Sequence, residues 1–301
     1  VLEILLFSDA DSDVQLKNYL TPFAQDLLKK CSFFETNIEP NNIGIPLFGD
    51  ISPDFPPEWL NNLTGNAHIG GNPAANSLTE YSWNYLWNES NNPLSMVNVP
   101  DQNHYQKNKN SVSALSQSNW YKFNFIRYTL FMHAETDGFP TYVGHHHHDA
   151  GHFCLYYNDL PIFVDGGRFN YLDSFGVTPQ AHNCITLNGL GLIPENPGRY
   201  PRAYSTCNNF ISSTYNNGDL QVFFESDGFN RISADLVWKR YLNLGSDKFS
   251  IQDKLAGRGK YVMKVYFHFD SEVKLKEKQS SKYSLQLKDL AASFSIDLQG
   301  E

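Results

Sequence analysis

The sequence contains a histidine-rich segment in its middle, GHHHHDAGHF at residues 144–153. Imidazole and carboxylate side chains bind divalent metals and transfer protons near neutral pH, so this segment predicts a metal site or a catalytic centre. A purification tag would sit at a terminus, whereas this run lies in mid-chain between apolar segments. The simplest remaining interpretation is a polar strand end with exposed histidines.

The spacing within the segment divides its histidines into two pairs. In an extended strand, successive side chains point to opposite faces, so His145, His147 and Asp149 share one face. His146 and His148 then point the other way. A divalent metal needs three or four ligands, and a set of imidazole and carboxylate groups suits Zn²⁺. An HxH pair therefore supplies only part of a metal site.

Two later segments carry side chains that could complete such a site. Asp165 ends the apolar run PIFVD, where a carboxylate is costly to bury without a partner. His182 opens the run HNCITLNG. Both lie at predicted strand ends, so they could converge on the histidine segment. A cupin-type metal oxygenase also uses an HxH strand, but it would need a nearby glutamate where this chain has Asp149.

The elements that position these residues are predicted to be mainly β-strands. From about Trp120, short runs rich in Phe, Tyr, Val and Ile alternate with Gly, Asn and Asp turns, which is typical of an antiparallel β-sandwich. CLYYNDLPIFVD predicts a hairpin with Asn158 and Asp159 in its turn. Apolar residues recur at helical spacing over residues 11–34, whereas the polar stretch 98–118 predicts an irregular connection.

Composition narrows the class of protein. The 301 residues are 41% hydrophobic, enough for a sizeable core in one large or two smaller domains. The net charge of −9 argues against a nucleic-acid partner, because phosphate binding needs a basic surface. No run of apolar residues is long enough to predict a membrane span. The four cysteines lack CxxC spacing and predict buried free thiols. Because the chain begins inside an apparent helical segment, we expect it to be part of a longer protein.

The segments GHHHHDAGHFCLYYNDLPIFVDGG and QAHNCITLNG resemble the heparinase II/III family of polysaccharide lyases. Members of that family carry an HxHxDxGxF strand, a hairpin that ends in V-D-x-G, and an AHNT segment. The resemblance implies an antiparallel β-sandwich that follows the last helices of an incomplete (α/α) toroid. Residues 1–115 would be the toroid remnant and linker, and residues 116–301 the sandwich that carries the metal site.

The resemblance also implies roles for individual residues. His147, Asp165 and His182 match the positions of the family's metal ligands, and that metal is usually zinc. His145 matches a histidine of the catalytic cleft, and Tyr171 lies where some alginate-lyase members supply a proton. Asp149 has no family role, and as a neighbour on the same face it is predicted to fix the tautomer of an imidazole.

The activity implied is β-elimination on an anionic, uronic-acid-containing polysaccharide, in a bacterial periplasm or cell envelope. Arg168, Arg199 and Arg202 are candidates for binding that substrate, although a role in surface charge is equally compatible. The sequence departs from the family where DSFGVTPQ replaces an Arg-rich segment, and most of the toroid that carries the family's catalytic Tyr and Asn is absent. The alternatives are a non-catalytic binding or assembly protein and a uronate epimerase, which abstracts the same C5 proton.

Overall fold

A computed structural model of the protein describes residues 110–116, 119–134, 147–167, 174–193, 207–246, 248–279, 282–287 and 290–295, with scattered positions between Gln15 and Phe48. This part of the chain forms antiparallel sheets that pack as a sandwich, so the predicted fold class is confirmed. Gln15, Tyr19 and Phe23 are helical, as the spacing over residues 11–34 predicts. No helix within the described ranges is long and apolar enough to cross a bilayer. The division at residues 115 and 116 stays a prediction.

The first sheet has five strands that follow each other in chain order. It contains β3 (Asn110–Leu115), β4 (Trp120–Phe125), β5 (Tyr128–His133), β6 (Phe153–Tyr157) and β7 (Leu160–Phe163). A separate two-stranded sheet, β1 (Thr36–Glu39) and β2 (Asn42–Gly44), precedes it in the chain. The predicted hairpin is confirmed, since β6 and β7 meet at Asn158 and Asp159, whose φ angles of 48° and 67° match the turn that two-residue hairpins favour. The prediction of an irregular connection is wrong for β3, because its alternating NSVSAL pairs with β4 along its whole length.

The remaining strands supply the second sheet and two smaller ones. β8 (Ile185–Leu187) pairs with β13 (Met263–Val265), and β14 (Lys274–Gln279), β15 (Lys282–Leu287) and β16 (Leu290–Ser295) form a three-stranded sheet. The second large sheet has the order β12 (Phe249–Ala256), β11 (Val237–Leu244), β10 (Asp219–Ser226) and β9 (Asn209–Asn216). Every second residue of β10 and β11 is buried, as expected of strands with one face against a core.

The hydrophobic core lies between the two large sheets. It combines inward-facing side chains of β4 to β6 with those of β10 and β11, among them Phe123, Phe153, Leu155, Phe224 and Trp238. Removing this apolar surface from water drives the two sheets together.

The first residues of β6 and β8 and the residues after β7 lie at one end of this core. The chain after β7 is held there by two backbone hydrogen bonds, from Val164 N–H to His268 O (3.0 Å) and from Asp270 N–H to Ile162 O (3.1 Å). His152, Asp165 and His182 are therefore carried to the same place by three different strands.

Candidate functional site

Two histidines and an aspartate form a buried cluster. Asp165 Oδ2 lies 3.0 Å from His182 Nδ1 and 3.2 Å from His152 Nε2. One nitrogen or oxygen atom from each residue lies within 4.8 Å of the others, and all three side chains are fully buried. The predicted convergence of Asp165 and His182 thus agrees with the geometry. His152 is an addition that the sequence did not identify, although it stands in the same motif.

Local backbone structure fixes each member of the cluster. Asp165 Oδ1 accepts a hydrogen bond from Gly167 N–H at 2.7 Å, which leaves Oδ2 to face the two imidazoles. His182 follows a single 3-10 turn over Pro179–Ala181 and has extended backbone angles that lead into β8. His152 N–H donates to Asp149 O at 2.8 Å, which closes a turn directly before β6.

The hydrogen bonds of His152 determine its tautomer. The backbone N–H of Asn183 donates to His152 Nδ1 at 2.8 Å, so that nitrogen must use its lone pair as an acceptor. In a neutral imidazole the other nitrogen then carries the proton. His152 Nε2 is therefore a donor, and Asp165 Oδ2 lies at 3.2 Å from it. In this state His152 orients the carboxylate and has no lone pair to offer a metal.

Asn183 connects the segments that surround the cluster. Its side-chain amide donates to Phe153 O at 2.8 Å and to Val164 O at 3.0 Å. Its side-chain oxygen accepts the backbone N–H of His268 at 2.6 Å. All polar groups of this fully buried side chain are thereby satisfied, and the strands that carry the cluster are tied together.

The segment before the cluster is a loop rather than the predicted strand. Residues 147–150 form no strand, and the first paired residue is Phe153. The predicted alternation nevertheless holds for the described residues, since His147 and Asp149 are buried and His148 lies partly exposed between them. The ring of His147 lies 5.3 Å from that of His182, measured between centroids.

Asp149 is paired with a histidine that the sequence did not identify. Its Oδ1 lies 3.1 Å from His133 Nδ1, and the His133 ring stacks on Trp120 with centroids 4.3 Å apart. His133 ends the apolar strand β5, just as Asp165 follows the apolar end of β7, so the same signal could have found both. The role of Asp149 at the site stays a prediction.

Burial and charge together set the protonation of the cluster. Burial raises the pKa of Asp165, but the adjacent His152 and His182 lower it further, so the net pKa is below the usual value. Burial lowers the pKa of His182, but its hydrogen bond to Asp165 and the carboxylate charge raise it above normal. Burial lowers the pKa of His152 to about 3, against the pull of Asp165. His152 is therefore neutral at physiological pH, and Asp165 is an ionised carboxylate.

The spacing of the cluster fits a divalent metal. For zinc–nitrogen and zinc–oxygen bonds near 2.1 Å, a tetrahedral site places neighbouring ligand atoms roughly 3.4 Å apart, close to the 3.0 Å between Asp165 Oδ2 and His182 Nδ1. In addition, His182 Nε2 is buried and accepts or donates no hydrogen bond among the described residues. Burying an unsatisfied imidazole nitrogen is costly, so a partner beyond the described residues is expected near His182 Nε2. The combination of imidazole and carboxylate donors suits zinc.

The other predicted site residues lie outside the described ranges. These are His145, Tyr171, Arg168, Arg199 and Arg202. Their roles stay predictions.

Comparison with known proteins identifies the family. Residues 107–299 match the description "Heparinase II/III-like, C-terminal", so the chain belongs to the heparinase II/III-like family. This range contains the whole cluster and both large sheets. The resemblance that the histidine segment predicts is confirmed.

Solved structures share the fold of this chain. The heparan sulfate lyase HepC from Pedobacter heparinus has a TM-score of 0.56 at 13% identity, over 96% of this chain and 42% of that chain. A heparinase III gene product has a TM-score of 0.53 at 15% identity, over 84% and 36%, and another heparinase III has 0.53 at 14%, over 92% and 40%. The chain thus spans less than half the length of these proteins, with which it shares the fold. A comparison with curated proteins finds no match.

Proposed function

We propose that the protein to which this chain belongs is a polysaccharide lyase that cleaves a uronic-acid-containing polymer by β-elimination. One observation carries the proposal: the buried cluster of Asp165, His182 and His152 lies within the range that matches the heparinase II/III-like family. The similar structures are those of heparinase III and of a heparan sulfate lyase, which supports an anionic polysaccharide as substrate. The net charge of −9 requires that such a polymer be bound by a local basic or metal-containing cleft.

We further propose that His147, Asp165 and His182 hold a zinc ion or another divalent metal. His152 belongs to the same geometric cluster, but its lone pair is used by the Asn183 N–H, which favours His147 as the third ligand. When bound, the ion would supply a fixed positive charge that holds together the sandwich wall of the cleft. His152 would keep Asp165 oriented toward it by a hydrogen bond, since carboxylate ligands in metal sites are themselves usually held by hydrogen bonds.

We assign the proton-transfer roles to His145 and Tyr171. The C5 proton of a uronic acid becomes acidic enough to remove only when the adjacent carboxylate is neutralised, which is a task for positive or hydrogen-bonding groups. Arg168, Arg199 and Arg202 are the candidates for contacts with the polymer. A base then removes the C5 proton while an acid protonates the leaving O4, and histidine and tyrosine can perform both steps.

The activity is tested by the ultraviolet absorbance of the C4–C5 double bond that β-elimination creates. Full-length protein is incubated with heparan sulfate, chondroitin, hyaluronan and alginate, with a His145→Ala variant as control. The proposal expects absorbance to rise with at least one polymer and the rise to be lost in the variant. No signal on any polymer would favour a binding or assembly protein. Deuterium uptake at C5 without cleavage would favour an epimerase.

The ligand set is tested by elemental analysis of purified protein. His147→Ala is expected to lose the bound metal, whereas His152→Gln, which retains a side-chain donor, is expected to keep it with weaker affinity. The opposite result would assign the third ligand to His152. Metal-free wild-type protein that takes up no zinc on titration would refute the metal site and leave the lyase assay to decide the activity.

A further inference from the structure

Arg240 is the most deeply buried charge in the described part of the second sheet. Its side chain is fully buried in β11, on the face that otherwise carries Trp238 and Leu242. The guanidinium Nε and Nη2 donate to the two carboxylate oxygens of Asp253 on β12 at 2.7 and 3.0 Å. This pair of hydrogen bonds neutralises the charge of Arg240 within the sheet and leaves Nη1 to donate to other acceptors.

The remaining nitrogen, Nη1, bonds two backbone carbonyls of the candidate site. It donates to Gly151 O at 3.0 Å and also to Asn183 O. Gly151 directly precedes His152, and Asn183 directly follows His182. One nitrogen thus joins two segments that are 32 positions apart in the chain, each of which carries a histidine of the cluster.

The two carbonyls belong to the same hydrogen-bond system as the cluster. Asn183 accepts from Arg240 through its carbonyl and donates through its N–H to His152 Nδ1. A shift of the Asn183 backbone would therefore change both the bond that fixes the tautomer of His152 and the position of the adjacent His182. The rings of Phe153 and Trp238 lie 5.3 and 4.8 Å from the guanidinium carbon and restrict its movement.

Stability alone does not explain this ion pair. A buried ion pair is often no more stabilising than apolar side chains of similar volume, because both charges lose their hydration. The pair is therefore better explained by the geometry that it imposes, since a planar guanidinium can hold a carboxylate and two carbonyls at once.

We propose that Arg240, held by Asp253, is a positioning residue that fixes the positions of His152 and His182 relative to each other for metal binding. This rests on the proposed metal site, which the experiment below tests separately. The role belongs to the second sheet, which contributes no member of the cluster.

The test compares three variants of the full-length protein with a matched control. Arg240→Lys keeps the charge but has a single nitrogen, so it cannot serve Asp253 and both carbonyls. The double variant Arg240→Met with Asp253→Leu removes the pair without leaving a buried unpaired charge, so it can fold where a single variant fails. Asp253→Asn removes the carboxylate charge and so weakens the two hydrogen bonds from Arg240. The control is Lys239→Met, at the position directly before Arg240, which removes only an exposed ion pair with Glu225.

Two readouts separate positioning from general loss of structure. The first is zinc affinity by chelator competition, with the visible spectrum of the cobalt-substituted protein as a report on ligand geometry. The three variants are expected to bind about 10- to 100-fold more weakly, as is usual for residues that orient metal ligands, and to show an altered spectrum. The control is expected to match wild type.

The second readout needs no metal. Hydrogen exchange of the Asn183 amide is compared with that of amides in β10 and β11. The proposal expects Asn183 to exchange at least about 10-fold faster in the variants, relative to those strands, since local opening exposes its bond to His152. Unchanged zinc affinity and unchanged relative exchange would overturn the role of Arg240 while leaving the metal site intact. Wild-type protein that binds no zinc would refute the metal site and the role of Arg240 in metal binding.

Discussion

The close packing around Gly151, beside the candidate site, predicts how an alanine at this position changes the stability of the protein. Its φ angle is +79°, and a Cβ added there would lie 2.6 Å from Phe224 Cε1 and 2.7 Å from two ring atoms of Trp238. Both aromatic side chains are fully buried, so neither can move aside without disturbing the core. Gly151→Ala therefore introduces two separate costs, an unfavourable backbone conformation and a steric clash.

The magnitude follows from these two costs. A non-glycine residue in the left-handed region costs about 1–2 kcal/mol. Overpacking a filled core by one methyl group costs about 1–3 kcal/mol more. We therefore expect Gly151→Ala to lower the free energy of unfolding by about 2–5 kcal/mol, measured by urea denaturation followed by tryptophan fluorescence.

Two other glycines provide matched controls. Gly189 and Gly218 have φ angles of +83° and +87°, and an added Cβ at either meets nothing within 4 Å. Alanine at these positions is expected to cost only the backbone term, about 1–2 kcal/mol. If Gly151→Ala proves no more destabilising than the two controls, the close packing of Gly151 against β10 and β11 is wrong.

Three further predictions concern buried groups. Asn183→Ala leaves the buried Phe153 O and the partly buried Val164 O and His268 N–H without their partner, and since a fully buried group costs about 1–3 kcal/mol, the loss of unfolding free energy is expected to be about 2–5 kcal/mol in chemical denaturation. Leu242→Ala, at a fully buried position, is expected to cost about 2–5 kcal/mol, whereas alanine at the exposed Leu190 changes stability by less than about 0.5 kcal/mol in the same assay. Burial raises the pKa of Cys154 and Cys184, so iodoacetamide is expected to label them, as read by mass spectrometry, only after denaturation.

The sequence predicts the sandwich because that signal is local. Alternation within strands and turn residues between them depend only on neighbouring positions, so the Asn158–Asp159 hairpin follows from a dozen residues. The meeting of Asp165 with His182 is also accessible, because each polar side chain stands at the end of an apolar run. The motif resemblance adds the family, which the match over residues 107–299 confirms.

Other parts of the site depend on contacts that local patterns do not encode. The role of His152 follows from the backbone N–H of Asn183, 31 positions later. Asp149 meets His133 at the end of β5, which requires knowledge of how the loop folds back on that strand. Arg240 did carry a signal, because in WKRYLNL it shares a face with Trp238 and Leu242. A charge on an apolar face is a recognisable sign of a buried partner.

The hydrogen bonds of Asn183 also have a consequence for the order of events in folding. Its partners on Phe153, Val164 and His268 are 30, 19 and 85 positions away, so no short segment can assemble the cluster by itself. Such long-range contacts are expected to form after the folding transition state, once the loops between them have closed. A ligand of the cluster would then slow the unfolding of the protein and leave its folding rate nearly unchanged. In this order of events the sandwich forms first, and the cluster forms last and stabilises it against unfolding.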